Sequence, residues 1–250
     1  MTDHVQIAAN GGVMRITLNR PEKKNALTQA MYAAITSGLE RAAASPDIRV
    51  VLFTGSGDSF SAGNDIADFQ KSSPEQATSG AMRFGDQLVI MEKPVVAAVN
   101  GLAVGIGATM LLHCDLVYAA EGARIRFPFV DLGLVPELAS SLMLPRLAGY
   151  QRAAELMLLG GFCSAEQAHE IGLVNRVLPD SELLDHALGA ARTLAAKPAI
   201  ALARTRALLR GDLSPILERK QQEAEIFQQC RQSPEAQAIF RAFVERSAAQ

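Results

Sequence analysis

Two glycine-rich segments of this chain have the composition of ligand-binding backbone. Residues 60–66 (FSAGNDI) and 100–107 (NGLAVGIG) place small residues directly after apolar segments, where the backbone can approach a ligand closely. Free N–H groups at a helix start favour a developing negative charge. Two such donors facing one point would form an oxyanion hole. Either segment alone is better explained by tight turns and close helix packing, and only the pairing of the two favours chemistry.

Glu137 has two interpretations, one structural and one catalytic. It follows Pro136 directly in the segment LVPELASS at residues 134–141. A proline at a helix start and an acid in the first turn are normal, so a glutamate that complements the helix dipole also explains this position. A carboxylate in an apolar pocket, by contrast, has a raised pKa and can act as a general base. The residues themselves leave both interpretations open.

The sequence lacks the motifs of several other classes of enzyme. The chain has no G-x-x-x-x-G-K-[ST], H-E-x-x-H or G-x-S-x-G motif, and residues 105–110 (GIGATM) lack the third glycine of a dinucleotide fingerprint. The four histidines are interpreted as structural or solvated. The cysteines Cys114, Cys163 and Cys230 are odd in number and far apart, which predicts neither a disulfide framework nor a zinc site. We therefore expect no bound metal.

The composition of the chain excludes some classes of binding partner. The formal net charge is −2, with 24 basic and 26 acidic residues, so no overall field attracts nucleic acid. There is no apolar run long enough to span a membrane and no secretory signal at the N-terminus, so we expect a cytoplasmic protein without membrane contact. Charged residues make up 20% and hydrophobic residues 49% of the chain. This aliphatic excess predicts a large core, or surface covered by other copies of the chain.

The elements that must position these residues alternate between strand and helix in the first part of the chain. Strands are predicted at residues 13–18, 49–54, 95–99, 115–119 and 123–127, and helices at 28–44 and 105–113. This order predicts an α/β fold with parallel strands and right-handed crossovers. The remainder is predicted to be helical at residues 151–159, 164–171, 182–196, 200–210, 216–230 and 234–246, with a short strand at 174–177. The polar residues 70–79 are predicted to form a mobile loop.

Five segments together resemble the crotonase superfamily, also called the enoyl-CoA hydratase/isomerase family. They are RPEKKNAL at 20–27, SAGNDI at 61–66, AVNGLAVGIG at 98–107, CDL at 114–116 and LGLVP at 132–136. The resemblance spans nearly the whole chain. It implies an α/β spiral of repeated ββα units at residues 1–195 and a helical trimerisation region at 196–250. The expected assembly is a homotrimer or a dimer of trimers.

The resemblance also implies an acyl-CoA thioester as substrate, so coenzyme A arrives with the substrate and no separate cofactor is expected. It implies an oxyanion hole made by the backbone N–H groups of Ala62 and Ile106. The implied contacts with coenzyme A are Lys23, Lys24, Ala26, Ser61, Ala62, Asp65 and Ile66. A lysine pair in a loop is also common solvated surface, and Asp65 has a second interpretation in which it only orients the loop. The expected pocket residues Leu102, Phe129 and Leu134 are equally well explained as core.

The carboxylates indicate which reaction to expect. Hydratases of this family carry two glutamates, at positions that read Thr109 and Phe129 in this chain, and neither side chain exchanges a proton as a carboxylate does. The PELASS segment and the SAGNDI loop are instead similar to Δ3,Δ2-enoyl-CoA isomerases of the peroxisomal kind. That resemblance implies that Glu137 is the base that moves a double bond from C3 to C2. A hydratase-like or hydrolase-like member of the family and a catalytically silent acyl-CoA-binding protein remain alternatives.

Overall fold

Alternating strands and helices build two β-sheets with helices packed around them. The computed structural model describes residues 2–66, 68 and 74–248. The strands are β1 (Val5–Asn10), β2 (Val13–Leu18), β3 (Val50–Gly55), β4 (Ser59–Ser61), β5 (Val95–Val99), β6 (Leu102–Val104), β7 (Leu116–Ala120), β8 (Arg124–Arg126), β9 (Phe162–Ser164) and β10 (Arg176–Leu178). The helices are α1 (Gln29–Ala44), α2 (Pro74–Ile90), α3 (Ile106–Thr109), α4 (Ser140–Ala148), α5 (Tyr150–Leu158), α6 (Ala165–Glu170), α7 (Asp180–Ala195), α8 (Ala199–Arg210), α9 (Ser214–Arg231) and α10 (Pro234–Ala248).

The larger sheet has the strand order β1-β2-β3-β5-β7-β10. Only β1 and β2 pair antiparallel, and the other neighbours are parallel. The central strand Val95–Val99 is completely buried, as its uninterrupted apolar sequence requires for a strand that is covered on both faces. This sheet forms the centre of the core.

The smaller sheet has the order β4-β6-β8-β9, with β4, β6 and β8 parallel. Each of these three short strands directly follows a strand of the larger sheet, so β3-β4, β5-β6 and β7-β8 each contribute one strand to each sheet. Helical segments connect these pairs, which is the repeated ββα arrangement that the resemblance implied. The α/β prediction is confirmed.

Local sequence explains several boundaries. Helix α1 begins after Thr28, whose hydroxyl accepts a hydrogen bond from the Met31 N–H at 3.3 Å. Its buried side chains include Met31, Ile35, Leu39 and Ala42, which recur three or four residues apart and so share one face toward the core. The predicted strands at residues 13–18 and 95–99 match β2 and β5 residue for residue.

Other elements differ from the expectation. The strands β1, β4, β6 and β9 and the helix α4 were not predicted; β4, β6 and β9 have only three residues each, too few to show alternation. The prediction of a loop at residues 70–79 is wrong from Pro74 onward, because α2 begins there with a proline at its start and good helix formers behind it. Residues 70–73 of that predicted loop lie outside the described residues.

The C-terminal helices pack on the core of their own chain. In α8, the buried Arg206 donates through Nε to both carboxylate oxygens of Asp115, at 2.8 and 2.9 Å. Arg206 also donates to the Met91 carbonyl, and Arg210 donates to the Val89 carbonyl at 2.7 Å. Helix α8 also exposes the apolar side chains of Ile200, Leu208 and Leu209. The division at residue 195 and the trimer remain predictions.

The described residues also bear on membrane contact and on metal binding. No helix among them is long and apolar enough to cross a membrane. Within them, no group of three or more histidine, cysteine, aspartate or glutamate side chains is arranged to hold a metal ion.

We predict that Arg206→Met destabilises the fold because the Asp115 carboxylate loses its charged partner and keeps only the Val95 N–H, while the Met91 carbonyl keeps only the 3.2 Å bond from Arg210. Breaking such a pair typically destabilises a protein by about 3–5 kcal/mol, and the partial exposure of Asp115 favours the lower end. Urea unfolding followed by circular dichroism measures the loss. Arg204→Met, at an exposed position of the same helix, is the matched control and should change stability by less than about 0.5 kcal/mol. Equal effects of the two substitutions would contradict the proposed anchoring role.

Candidate active site

Two backbone segments meet at one edge of the smaller sheet. Strands β4 and β6 are parallel neighbours, with Ser59 opposite Leu102 and Ser61 opposite Ala103. Because parallel strands end at the same edge, the residues that follow them lie side by side. These are residues 62–64 after β4 and residues 105–106 after β6, which are the two glycine-rich segments of the sequence.

Gly63 makes the contact between these segments possible. Its φ is +92°, and a Cβ atom built on it would lie 2.9 Å from the Val104 carbonyl oxygen. Only glycine therefore fits here, both for its backbone angle and for the space available. The absence of a side chain lets the loop after β4 rest directly on the backbone of Val104 and Gly105.

The free N–H groups of this contact belong to Asn64 and Ile106. Ile106 is the first residue of α3, and the first bonds back to Gly105 begin only with the N–H groups of Ala108 and Thr109. Around Asn64, the Gly63 N–H donates to Ser61 Oγ and the Asp65 N–H donates to the Leu27 carbonyl. The Asn64 N–H itself donates to no acceptor among the described residues.

The expected role of Ala62 is therefore wrong. Its N–H donates to the Lys24 carbonyl at 2.8 Å, so it is not available to a ligand. The structure assigns this donor position to Asn64, two residues further along the chain, and keeps Ile106 as the second donor position. An oxyanion hole made by Asn64 and Ile106, in place of Ala62 and Ile106, stays a prediction.

The segment at residues 20–27 holds this loop in place through Asn25. This side chain is completely buried, and its Nδ2 donates to the carbonyls of Ser56 and Ser59 at 2.9 and 2.7 Å. Its Oδ1 accepts from the Arg20 N–H at 2.7 Å, and its carbonyl accepts from Ser61 Oγ at 2.9 Å. Asn25 thus ties the loop before α1 to both ends of the β3–β4 connection.

Two expected contacts with coenzyme A have structural roles. Ser61 is completely buried, and its hydroxyl donates to the Asn25 carbonyl and accepts the Gly63 N–H, while the expected contact of coenzyme A with the backbone of residues 61–66 stays a prediction. The Asp65 carboxylate pairs with Arg20 at 2.6 Å and accepts the Asp68 N–H at 2.9 Å, which supports the interpretation that it orients the loop. Arg20 also donates to the Ala26 carbonyl at 3.1 Å.

The remaining expected contacts with coenzyme A lie around the same loop. Lys23 and Lys24 are exposed, while Ala26 and Ile66 are partly buried. Lys24 has a left-handed backbone conformation with φ of 49°, and it contributes the carbonyl that accepts the Ala62 N–H. Their contacts with coenzyme A stay predictions.

Glu137 lies in an environment that favours a general base. The residue is only half-buried, but its Oε1 is out of contact with solvent and has no hydrogen-bond partner among the described residues. Burial, and secondarily the charge of Glu223, raise the pKa of the Glu137 carboxyl from 4.5 to about 8. A general base is most effective when its pKa lies near the working pH, and a carboxyl with this raised pKa meets that condition.

Tyr32 connects Glu137 with the loop after β4. The ring is completely buried, and its hydroxyl donates to the Asn64 side-chain oxygen at 2.5 Å. Burial, and secondarily the negative charge of Glu137, raise the pKa of the Tyr32 hydroxyl. Glu137 therefore acts electrostatically on the same tyrosine that holds the side chain of the donor residue Asn64.

The positions of the two hydratase glutamates lie deep in the protein. Thr109 is completely buried, and its hydroxyl reaches the Ile106 carbonyl at 3.5 Å. Phe129 is buried at the start of a 3-10 helix, and its carbonyl accepts the Leu134 N–H at 2.8 Å. Leu134 is buried and Leu102 partly buried, so their role in a pocket stays a prediction.

Sequence reasoning missed Asn64, Tyr32 and Glu223. The assignment of the free donor to Asn64 depends on the distant Lys24 carbonyl, for which the sequence holds no signal. Tyr32 sits on the buried face of α1, where a tyrosine usually reports packing. A buried tyrosine hydroxyl needs a polar partner, however, and that need is the signal that could have identified it.

Two free backbone N–H groups and a carboxyl with a raised pKa are the groups expected of an enzyme that acts on an acyl thioester. Comparisons with known proteins agree with this class. The family model described as enoyl-CoA hydratase/isomerase matches residues 8–250. The chain belongs to this family.

Individual relatives include two isomerases. The chain is 42% identical over 198 residues to 1,2-epoxyphenylacetyl-CoA isomerase of Escherichia coli, covering 76% of each chain. It is 41% identical over 183 residues to enoyl-CoA delta isomerase 2 of Rattus norvegicus, covering 71% of this chain and 46% of that protein. The crystal structure of an enoyl-CoA hydratase/isomerase from Pseudoalteromonas atlantica matches with a TM-score of 0.92 and 41% identity, covering 98% of both chains. The resemblance stated from the sequence is confirmed.

We predict that Gly63→Ala separates the two donor segments and lowers turnover of an enoyl-CoA by about 100-fold, the typical effect of losing one oxyanion donor. The added Cβ meets a backbone oxygen, so the loop must move away from Val104. Gly11→Ala is the matched control, because Gly11 also has a positive φ but has open space around it. It should lower the melting temperature and leave turnover unchanged. Equal turnover in both variants would show that this contact has no role in the reaction.

Proposed function

We propose that the protein is an enoyl-CoA isomerase that moves a double bond from C3 to C2 of the acyl chain. The observation that carries this proposal is the half-buried Glu137, whose Oε1 is out of contact with solvent and whose carboxyl has a raised pKa, in a chain whose two hydratase positions read Thr109 and Phe129. Two carboxylates are needed to activate and deliver water, whereas one base suffices to move a proton. The isomerase names of two relatives support the same choice.

In the proposed reaction, one proton is removed from C2 of the substrate and returned to C4. The Glu137 carboxylate removes a C2 proton from a 3-enoyl thioester, and the electrons of the C–H bond move to the thioester oxygen to give a dienolate. The dienolate then takes the same proton from the Glu137 carboxylic acid at C4. The double bond ends between C2 and C3, in conjugation with the thioester, and Glu137 returns to its starting state. No cofactor and no water enter the balance.

The backbone N–H groups of Asn64 and Ile106 would bind the thioester oxygen in this scheme. Negative charge on that oxygen grows as the proton leaves, so donors held in place by the sheet stabilise the transition state more than the substrate. The helix start at Ile106 adds a favourable dipole at the same point. Lys23 and Lys24, exposed at the mouth of the loop, are proposed partners of the phosphates of coenzyme A.

We predict that Glu137→Gln lowers kcat for a 3-enoyl-CoA by about 100- to 10,000-fold, the range that a positioned general base contributes. Glutamine keeps the shape of the side chain but accepts no proton. The conjugated 2-enoyl product is followed by its ultraviolet absorbance and by mass spectrometry. Glu155→Gln, the same change at an exposed helix position, is the control and should match the wild type.

The product distinguishes this proposal from the alternatives. Isomerisation keeps the substrate mass, hydration adds one water, and hydrolysis releases coenzyme A. Isomerisation at equal rates in wild type and Glu137→Gln would rule out Glu137 as the base. Binding of acyl-CoA without any turnover would favour a silent binding protein instead.

A second prediction concerns pH. Activity requires the Glu137 carboxylate, so kcat/KM should rise with pH up to about 8 and then level off. The folded-state pKa lies above the unfolded value of 4.5, so between these values the folded state holds a proton that the unfolded state has lost. Stability due to this group is therefore complete below the unfolded pKa and decreases as pH rises through the window.

Glu137→Gln lacks this titration. We therefore expect the melting temperature of Glu137→Gln minus that of the wild type to increase as the pH rises from about 5 to about 8. Scanning fluorimetry measures the difference between the two proteins. A constant difference across this window would show that Glu137 does not carry the raised pKa.

A further inference from the structure

The backbone directly after Glu137 has an unusual conformation. Leu138 and Ala139 both have a positive φ, of 58° and 56°. Side chains with a Cβ disfavour this left-handed region, and two such residues in succession are rarer still. The surrounding structure must therefore hold this turn in place. Because Glu137 immediately precedes it, the same turn sets the direction of the Glu137 side chain.

Hydrogen bonds from two other elements hold the turn. The Glu223 carboxylate of α9 accepts the Ala139 N–H through Oε2 at 2.6 Å and the Ser141 N–H through Oε1 at 2.9 Å. The His113 ring donates through Nε2 to the Leu138 carbonyl at 2.8 Å. Glu223 thus uses both carboxylate oxygens on the backbone of the turn and of the first residues of α4, whose own N–H groups lack helical acceptors.

Helix α9 is itself anchored close to this point. Glu223 is 4% exposed, and on the same face Lys220 is 5% exposed and pairs with Asp86 of α2 at 2.5 Å. Arg219 donates to Ser141 Oγ at 3.2 Å. A Cβ added to Gly85 of α2 would lie 2.7 Å from the Leu138 side chain, so α2, α9 and the turn pack directly against one another.

We infer that Glu223 is a positioning residue, whose carboxylate clamps the left-handed turn at Leu138 and Ala139 and thereby fixes Glu137 for proton transfer. This inference rests on the proposed function, in which Glu137 is the base. It assigns part of the C-terminal helical region a role inside its own active site, separate from any contact between subunits.

The charged and titratable groups around this clamp lie on several elements. The Glu223 charge adds to burial in raising the pKa of Glu137. Burial also raises the pKa of Glu223 itself, while its bonds from Ser141 and Ala139 and the charge of Arg219 on α9 act in the opposite direction. Burial lowers the pKa of His113 to about 4, so this ring is neutral in the working range and adds no positive charge. Tyr32 on α1 faces Glu137 and stays protonated.

The test uses the full-length protein with Glu223→Gln. Glutamine keeps the size of the side chain but has a single acceptor oxygen, so one of the two backbone bonds is lost. We expect kcat for a 3-enoyl-CoA to fall about 10- to 100-fold, since small displacements of a catalytic group have effects of this size, with KM changed less than about twofold. The ascending limb of kcat/KM should move to lower pH, because a negative charge near Glu137 is removed. Backbone amides at residues 138–141 should exchange with deuterium faster.

Asp86→Asn is the matched control. It removes the ion pair that anchors α9 one helical turn away and leaves the turn at Leu138 untouched. It should lower the melting temperature without moving the pH profile. A loss caused only by weaker packing of α9 would affect both variants alike, and that result would overturn the inference.

The readouts separate failure of the clamp from failure of the proposed function. Unchanged deuterium exchange in Glu223→Gln overturns the clamp, and faster exchange with unchanged kcat and pH profile overturns its role in positioning. If the wild type shifts no double bond, the proposed function fails. Deuterium exchange at residues 138–141 then decides the clamp: faster exchange in Glu223→Gln than in Asp86→Asn supports it, and equal exchange in the two variants overturns it.

Discussion

The site depends on the direct contact between the loop after β4 and the backbone at Val104 and Gly105. This contact exists because Gly63 has no side chain and because two parallel strands end side by side. It brings a loop N–H and a helix-start N–H to one place without using any side chain. A donor pair built from backbone is rigid and needs no reorganisation during the reaction, which is the property that an oxyanion hole requires. Asn25, Arg20 and Asp65 serve this contact by holding the loop.

The second requirement of the proposed reaction is a general base with a raised pKa whose side chain is held in one orientation. Burial supplies the raised pKa of Glu137, and a negatively charged neighbour adds to it. The buried Oε1 of Glu137 has no hydrogen-bond partner among the described residues, so no hydrogen bond at this atom orients the side chain. The left-handed turn behind Glu137 and the bonds that hold this turn therefore matter more here than they would for a carboxylate fixed by its own hydrogen bonds.

Much of the fold could be predicted from the sequence, and the reasons are local. The long apolar strand at residues 95–99 and the capped helix after Thr28 carry period and capping signals within their own residues. The strands of the smaller sheet are too short to carry such a signal and exist because neighbouring strands pair with them. In the site, the glycine segments and Glu137 could be identified by composition and family resemblance, whereas Ala62 was named in place of Asn64.

The sequence by itself determined the family, the α/β class, the pairing of two glycine-rich segments and the presence of a single carboxylate in place of two. These are properties of residue types and their spacing. Only the tertiary structure decided which N–H groups are free, because the Ala62 N–H is taken by the Lys24 carbonyl. Only the tertiary structure decided that the Glu223 carboxylate accepts the Ala139 N–H in the turn after Glu137, because the two residues lie 84 positions apart in the chain. Hydrogen-bond partners and burial depend on which segments meet in space, and no pattern along the chain encodes them.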